Sequence, residues 1–242
     1  MATAPRSPVG RKVDYPTSDG KPMAETDFHR DLMVDLIETL RAHFATDPMV
    51  YVSGNLMLFY EEGNKRKHVS PDVMVVRGIP KQRREHFLMW AEGKGPDLVI
   101  ELTSKTTKSE DVRKKMALYR DVLKVPEYFL FDPFQDYLKP PMQGYRLVEG
   151  TYESIASVEG RLPSEVLDLH LERSGIQLRL YNPLTGRWLP TADERNEAER
   201  QRAEAADQRA DRAHADRLEA EAEVARLRRE LEELRRQRNG GG

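Results

Sequence analysis

The sequence predicts an α/β fold built on one mixed sheet, of the α+β kind, with a long helix after it. Three observations predict it. A helical stripe is followed by three short apolar runs. An amphipathic helix then lies between two of the most apolar runs in the chain, the pattern of a β-α-β crossover. From Ala192 onward aromatic residues and prolines vanish, and Ala, Glu, Arg, Asp and Gln take over. The expected order is α-β-β-β-α-β, followed by further antiparallel strands and the long helix.

Each element has its own signal. In "TDFHRDLMVDLIETLRAHF" Phe28, Leu32, Leu36, Leu40 and Phe44 recur every fourth residue, and Thr26 or Asp27 can cap the helix. "MVYVSGNLMLFYEE" and "HVSPDVMVVRG" read as two strands joined at a turn near "EGNK". "IPKQRREHFLMWAEGKGP" reads as a long linker. "DLVIELT" is a buried strand, and the helix "SEDVRKKMALYRDVLK" turns Val112, Met116, Tyr119 and Leu123 inward. "PEYFLFDP" is the next strand, parallel to its predecessor. Residues 144–182 carry further strands, with turn signals at "VEGTY" and "YNPLTG".

Composition sets the boundaries. Residues 1–22 form a flexible segment rich in Pro, Ser and Gly; residues 23–190 hold the core; residues 191–238 form one helix; residues 239–242 are a flexible end. In the helix Ala206, Ala210, Ala213, Arg217, Ala220, Val224, Leu227, Leu231 and Leu234 recur at spacings of four and three, a heptad seam strongest in its last third. Arg212–Asp216, Arg226–Glu230 and Arg229–Glu233 stand four apart and can pair along it. The seam suits a homodimer or a helical partner; a solvated single helix is the plainer alternative.

The net charge is −2 with 33% charged residues, so global charge does not announce a nucleic-acid binder. The absence of cysteine rules out disulfides and thiolate metal sites. No apolar run approaches the roughly 18 residues of a membrane span. "MATAPRSPVGRKVDYP" lacks the apolar centre of a signal peptide, so the expected location is cytoplasmic.

Glu101 is the residue that demands an explanation. It sits among Leu98, Val99, Ile100 and Leu102, where a bare carboxylate costs several kcal/mol (roughly) unless it is neutralised. Asp72 opens the strand before it, and alternation places Asp97, Glu101 and Thr103 on one face. Two carboxylates, with the Leu102 carbonyl beside them, are hard oxygen donors that suit Mg²⁺. On the following helix Asp111 and Lys115 are four apart and share a face. The partner of Glu101 is therefore a metal ion, the Lys115 ammonium, or both.

The segments "YPTSDGKPMAETDFH", "YVSGNLMLFYEEG", "PDVMVV", "PDLVIELTSKTTKSEDVRKKMALY", "VPEYFLFDP" and "GYRL" together resemble the Uma-type family of restriction endonuclease-like bacterial proteins, within the PD-(D/E)xK nuclease superfamily. The resemblance runs from about Tyr15 to Leu189. It implies a restriction endonuclease-like core and hydrolysis of DNA phosphodiester bonds with Mg²⁺ or Mn²⁺. It assigns Asp72 and Glu101 as metal ligands. The superfamily's lysine, two residues after the glutamate, is Thr103 here; the resemblance moves its role to Lys115 on the helix. Glu25 and His29 would flank the site. Lys105, Lys108, Arg113 and Lys114, with Lys65, Arg66 and Lys67 on the hairpin turn, would grip phosphates without reading sequence.

Plainer explanations exist for each part. A Pro-Asp before a strand is often a turn. Glu101 with Lys115 can be a buried ion pair without catalytic value. The alternative function is a catalytically silent nuclease-like module that binds DNA or protein, assembled through its helix; a third is an oligomerisation scaffold alone.

Overall fold

The computed structural model describes residues 15–16, 26–103, 114–136 and 138–239. The chain forms two compact units, Met1–Thr191 and Ala192–Gly242.

Helix α1 (Asp27–His43) is capped by Thr26, whose hydroxyl accepts the backbone N–H of His29. Its stripe of Leu32, Leu36 and Leu40 is buried, as the four-residue spacing predicts. The strands β1 (Val50–Ser53), β2 (Leu58–Phe59), β3 (His68–Val69) and β4 (Val73–Arg77) follow. They are not one long hairpin. β1 pairs with β4 directly, whereas β2 pairs with β3 and lies parallel to β5 (Phe87–Leu88) in a separate small sheet. The break is at Gly54 and Asn55. Asn55 takes a positive φ of 47°, and its N–H donates to the Pro71 carbonyl. Both arms thus bend out of the main sheet at one level. The expected linker contains β5 and the short helix α2 (Met89–Glu92).

The main sheet is completed by β6 (Leu98–Leu102), β7 (Glu127–Phe131), β8 (Met142–Val148) and β9 (Thr151–Ser154), in the order β1-β4-β6-β7-β8-β9. β4 runs antiparallel to β6, and β6 runs parallel to β7, as the crossover rule requires. Strands β10 (Arg161–Ser164), β11 (Leu169–Ser174), β12 (Gln177–Asn182) and β13 (Arg187–Trp188) form an antiparallel sheet. One face of the main sheet, through Val73, Leu98, Ile100, Leu102 and Phe129, shares a core with α1 and the β10–β12 strands. The other face, through Met74, Val99, Tyr128 and Leu130, shares one with the helix at Leu118–Val122 and the small sheet.

The second unit contains helix α3 (Ala192–Asn239), with no strand among its described residues. Of the expected pairs, Arg226–Glu230 approaches to 3.8 Å, while Arg229 donates to the Ala225 carbonyl. No described helix is long and apolar enough to cross a membrane.

Candidate active site

Strand pairing brings the two carboxylates together. Val73 faces Ile100 across the β4–β6 ladder, so the next step of the register sets Asp72 opposite Glu101. Asp72 Oδ2 accepts the backbone N–H of Leu102 at 2.7 Å, which locks its side chain against β6. The bend at Gly54 makes this possible. A methyl group on Gly54 would lie 1.9 Å from the Asp72 carbonyl oxygen, so only glycine lets the two backbones approach.

Glu101 has no exposed surface. Lys115 Nζ donates to its Oε2 at 2.8 Å, and the Tyr119 hydroxyl donates to its Oε1 at 2.6 Å. Burial pushes the Glu101 carboxyl up to about 7; the negative charge of Asp72 adds to the rise, and Lys115 and Tyr119 oppose it. The Tyr119 hydroxyl is itself pushed well above its ordinary value by burial and by the charge of Glu101.

Lys115 and Tyr119 stand four residues apart and meet the same carboxylate from one helix face. Where the helix passes Tyr119 it widens into a π turn, Leu118–Val122, closed by the Leu123 N–H on the Leu118 carbonyl. Such turns are common at functional sites.

His29 enters from the opposite side. Its Nε2 is 2.7 Å from the Leu102 carbonyl oxygen and 3.6 Å from Asp72 Oδ2. A carbonyl only accepts, so Nε2 carries the hydrogen in this contact. Asp72, Glu101, Lys115 and His29 therefore surround the end of β6. Thr103 does not join them. Its N–H and its hydroxyl both turn to the Phe131 carbonyl on β7, at 2.8 and 3.2 Å.

Lys114 is exposed, one position round the helix from Lys115, and Lys65, Arg66 and Lys67 are exposed on the β2–β3 turn. Glu25, Lys105, Lys108, Asp111 and Arg113 lie outside the described residues. Tyr119 is the member that sequence reasoning missed: it was expected in the core, not on the carboxylate. The signal was its spacing of four from Lys115.

Among the described residues no group of three or more His, Cys, Asp or Glu is placed to hold a metal ion. What converges is two carboxylates and one carbonyl oxygen. This hard donor set fits a cation that keeps several waters and shares phosphate oxygens, the habit of Mg²⁺ and of Mn²⁺. It does not fit a soft or nitrogen-seeking metal.

The six-stranded mixed sheet, with paired acids at the β4–β6 junction and a lysine supplied by the crossover helix, defines a restriction endonuclease-like domain. The chain belongs to the family described as "Uma2: Putative restriction endonuclease", whose model matches residues 4–181. Among solved structures it is similar to one titled a "putative nuclease belonging to DUF820" from Anabaena variabilis ATCC 29413. That likeness has 18% identity and a TM-score of 0.45, and covers 63% of this chain and 80% of the other. No curated protein matches the chain.

Proposed function

We propose that the protein is a metal-dependent endonuclease of the cytoplasm that hydrolyses phosphodiester bonds in DNA. The observation that carries this is the meeting of Asp72, Glu101 and Lys115 at the end of β6. Asp72 and Glu101 would hold Mg²⁺ or Mn²⁺, with the Leu102 carbonyl at hand. When bound, such an ion acidifies a water and offsets charge on the phosphate. The protein's own groups do the rest. The Leu102 N–H fixes Asp72, and His29 fixes the Leu102 carbonyl. Tyr119 keeps one Glu101 oxygen pointed into the helix. Lys115 presents its ammonium beside the acids, where it would orient the attacking water or stabilise the charge that builds on the phosphate. Lys114 and the Lys65–Lys67 turn would add phosphate contacts.

The test is conversion of supercoiled plasmid to nicked and linear forms with Mg²⁺ or Mn²⁺. The parent should cut, and Asp72→Ala, Glu101→Gln and Lys115→Ala should not. Variants that cut as well as the parent would refute the assignment of the site.

A second reading has its own observation. Both Glu101 oxygens already accept hydrogen bonds from protein groups, which is how a purely structural buried acid is satisfied. The domain would then be a silent DNA- or protein-binding module. Mn²⁺ titration by calorimetry separates the two: a site that Glu101→Gln abolishes belongs to the nuclease, and no binding belongs to the module.

Under either reading the seam of α3 would join two copies of the chain.

A further inference from the structure

The seam of α3 also encodes an orientation. In its last third Val224 and Leu231 take the a positions of the heptad, and Ala220, Leu227 and Leu234 the d positions. Val224, Leu227, Leu231 and Leu234 are 48%, 50%, 49% and 65% exposed along α3, large apolar side chains left open to solvent. The heptad that pairs Val224 at a with Leu227 at d is the combination that favours two strands. The flanking g positions are Glu223 and Glu230, and the flanking e positions are Arg228 and Arg235. From Glu223 to Arg235 every g is acidic and every e is basic; Glu221, at the e position just before this stretch, is acidic.

In a parallel pair each g residue faces the e residue five positions later on the other helix. Glu223 then meets Arg228 of the second copy, and Glu230 meets its Arg235, each twice by symmetry. The antiparallel alignment that keeps the apolar residues together places Val224 against Leu234 and Leu227 against Leu231. It sets Glu230 against Glu230 and Arg228 against Arg228, and retains only Glu221 with Arg235. Arg217, at the a position before Ala220, is already engaged by Glu221 of its own helix at 2.9 Å. It marks where the apolar seam begins.

From this charge pattern we infer that two copies of the chain associate through a parallel, in-register coiled coil over residues 220–235. The inference rests on the self-association proposed above and adds its direction. In a parallel coil the N-terminal ends of the paired helical segments lie together.

The chain has no cysteine, so single cysteines report the geometry without interference. In full-length protein under mild oxidation, Leu234→Cys should form a disulfide with its own copy. A mixture of Val224→Cys and Leu234→Cys chains should give no mixed disulfide, because these positions lie about 15 Å apart along a parallel pair. The charges give an independent arm. Glu223→Lys with Glu230→Lys, and separately Arg228→Glu with Arg235→Glu, should each weaken the homodimer on the order of tenfold. Mixing the two should restore a heterodimer. A Val224–Leu234 disulfide would overturn the parallel direction while leaving the dimer standing. A mass of one chain, 27.9 kDa, by sedimentation at micromolar concentration would overturn self-association and the inference with it. Neither outcome bears on DNA cleavage, which plasmid nicking reads separately.

Discussion

The Tyr119 hydroxyl lies 2.6 Å from Glu101 Oε1, with both side chains fully buried. A hydrogen bond from a neutral donor to a carboxylate in such a place is short, strong and directional. It holds Oε1 on Tyr119 and leaves Oε2 to Lys115. Tyr119→Phe keeps the ring and removes the donor. Unfolding in urea should show a loss of about 1.5–3 kcal/mol, the worth of a hydrogen bond to a charged group. If cleavage occurs as proposed, its pH–rate profile should move to higher pH, because the Glu101 anion loses one of the groups that favour it. An unmoved profile would reduce Tyr119 to packing.

The raised Glu101 carboxyl makes stability depend on pH in a stated direction. The folded group titrates near 7 and the unfolded group near 4.5. Between these values the folded chain holds a proton that the unfolded chain has lost, so stability falls as pH rises. The contribution is fully present below pH 4.5 and is gone above 7. Urea unfolding of metal-free protein across this window should show the decline, and Glu101→Gln should flatten it. An equal decline in the variant would place the responsible group elsewhere.

Lys115→Met leaves a buried carboxylate without its cation. Breaking a buried pair costs about 3–5 kcal/mol when the remaining charge stays. Here Glu101 can take up a proton instead, so the cost should shrink at acid pH. Thermal melts at pH 8 and pH 5 should show a larger loss at pH 8. Lys115→Arg should not restore cleavage, since a planar guanidinium does not present a compact ammonium's charge at the same point.

The order of the main-sheet elements was legible because each depends on local pattern. The four-residue stripe gave α1, the apolar runs gave β4, β6 and β7, and the crossover rule gave the parallel pairing of β6 with β7. The acid pair was legible because Glu101 violates the hydrophobic run that contains it. The separation of β2 and β3 from the main sheet was not, since apolar content runs continuously through "MVYVSGNLMLFYEE" and only Gly54–Asn55 marks the bend. The anchoring of His29 on Leu102 was not legible either. It joins residues 73 positions apart, and a histidine on a helix face does not announce its partner. The turning of Thr103 toward Phe131 likewise depends on where β7 ends.

Gly54 is the position where a backbone contact controls the site at a distance. Its Cα packs on the Asp72 carbonyl, and a Cβ there would also lie 2.7 Å from the Ile37 methyl on α1. The nearest atoms are backbone on one side and buried core on the other, so no flexible side chain can yield. Gly54→Ala must push Asp72 away from β6 or drive β1 and β4 apart. Overpacking of this kind costs about 1–3 kcal/mol. If the segment at Asp72 yields first, its carboxylate loses the Leu102 N–H and its place opposite Glu101. Mn²⁺ affinity and plasmid cleavage should then fall together by at least about tenfold, while circular dichroism at low temperature keeps the signal of the parent. Retention of full metal affinity in a stably folded Gly54→Ala chain would show that the close approach of Gly54 does not position Asp72.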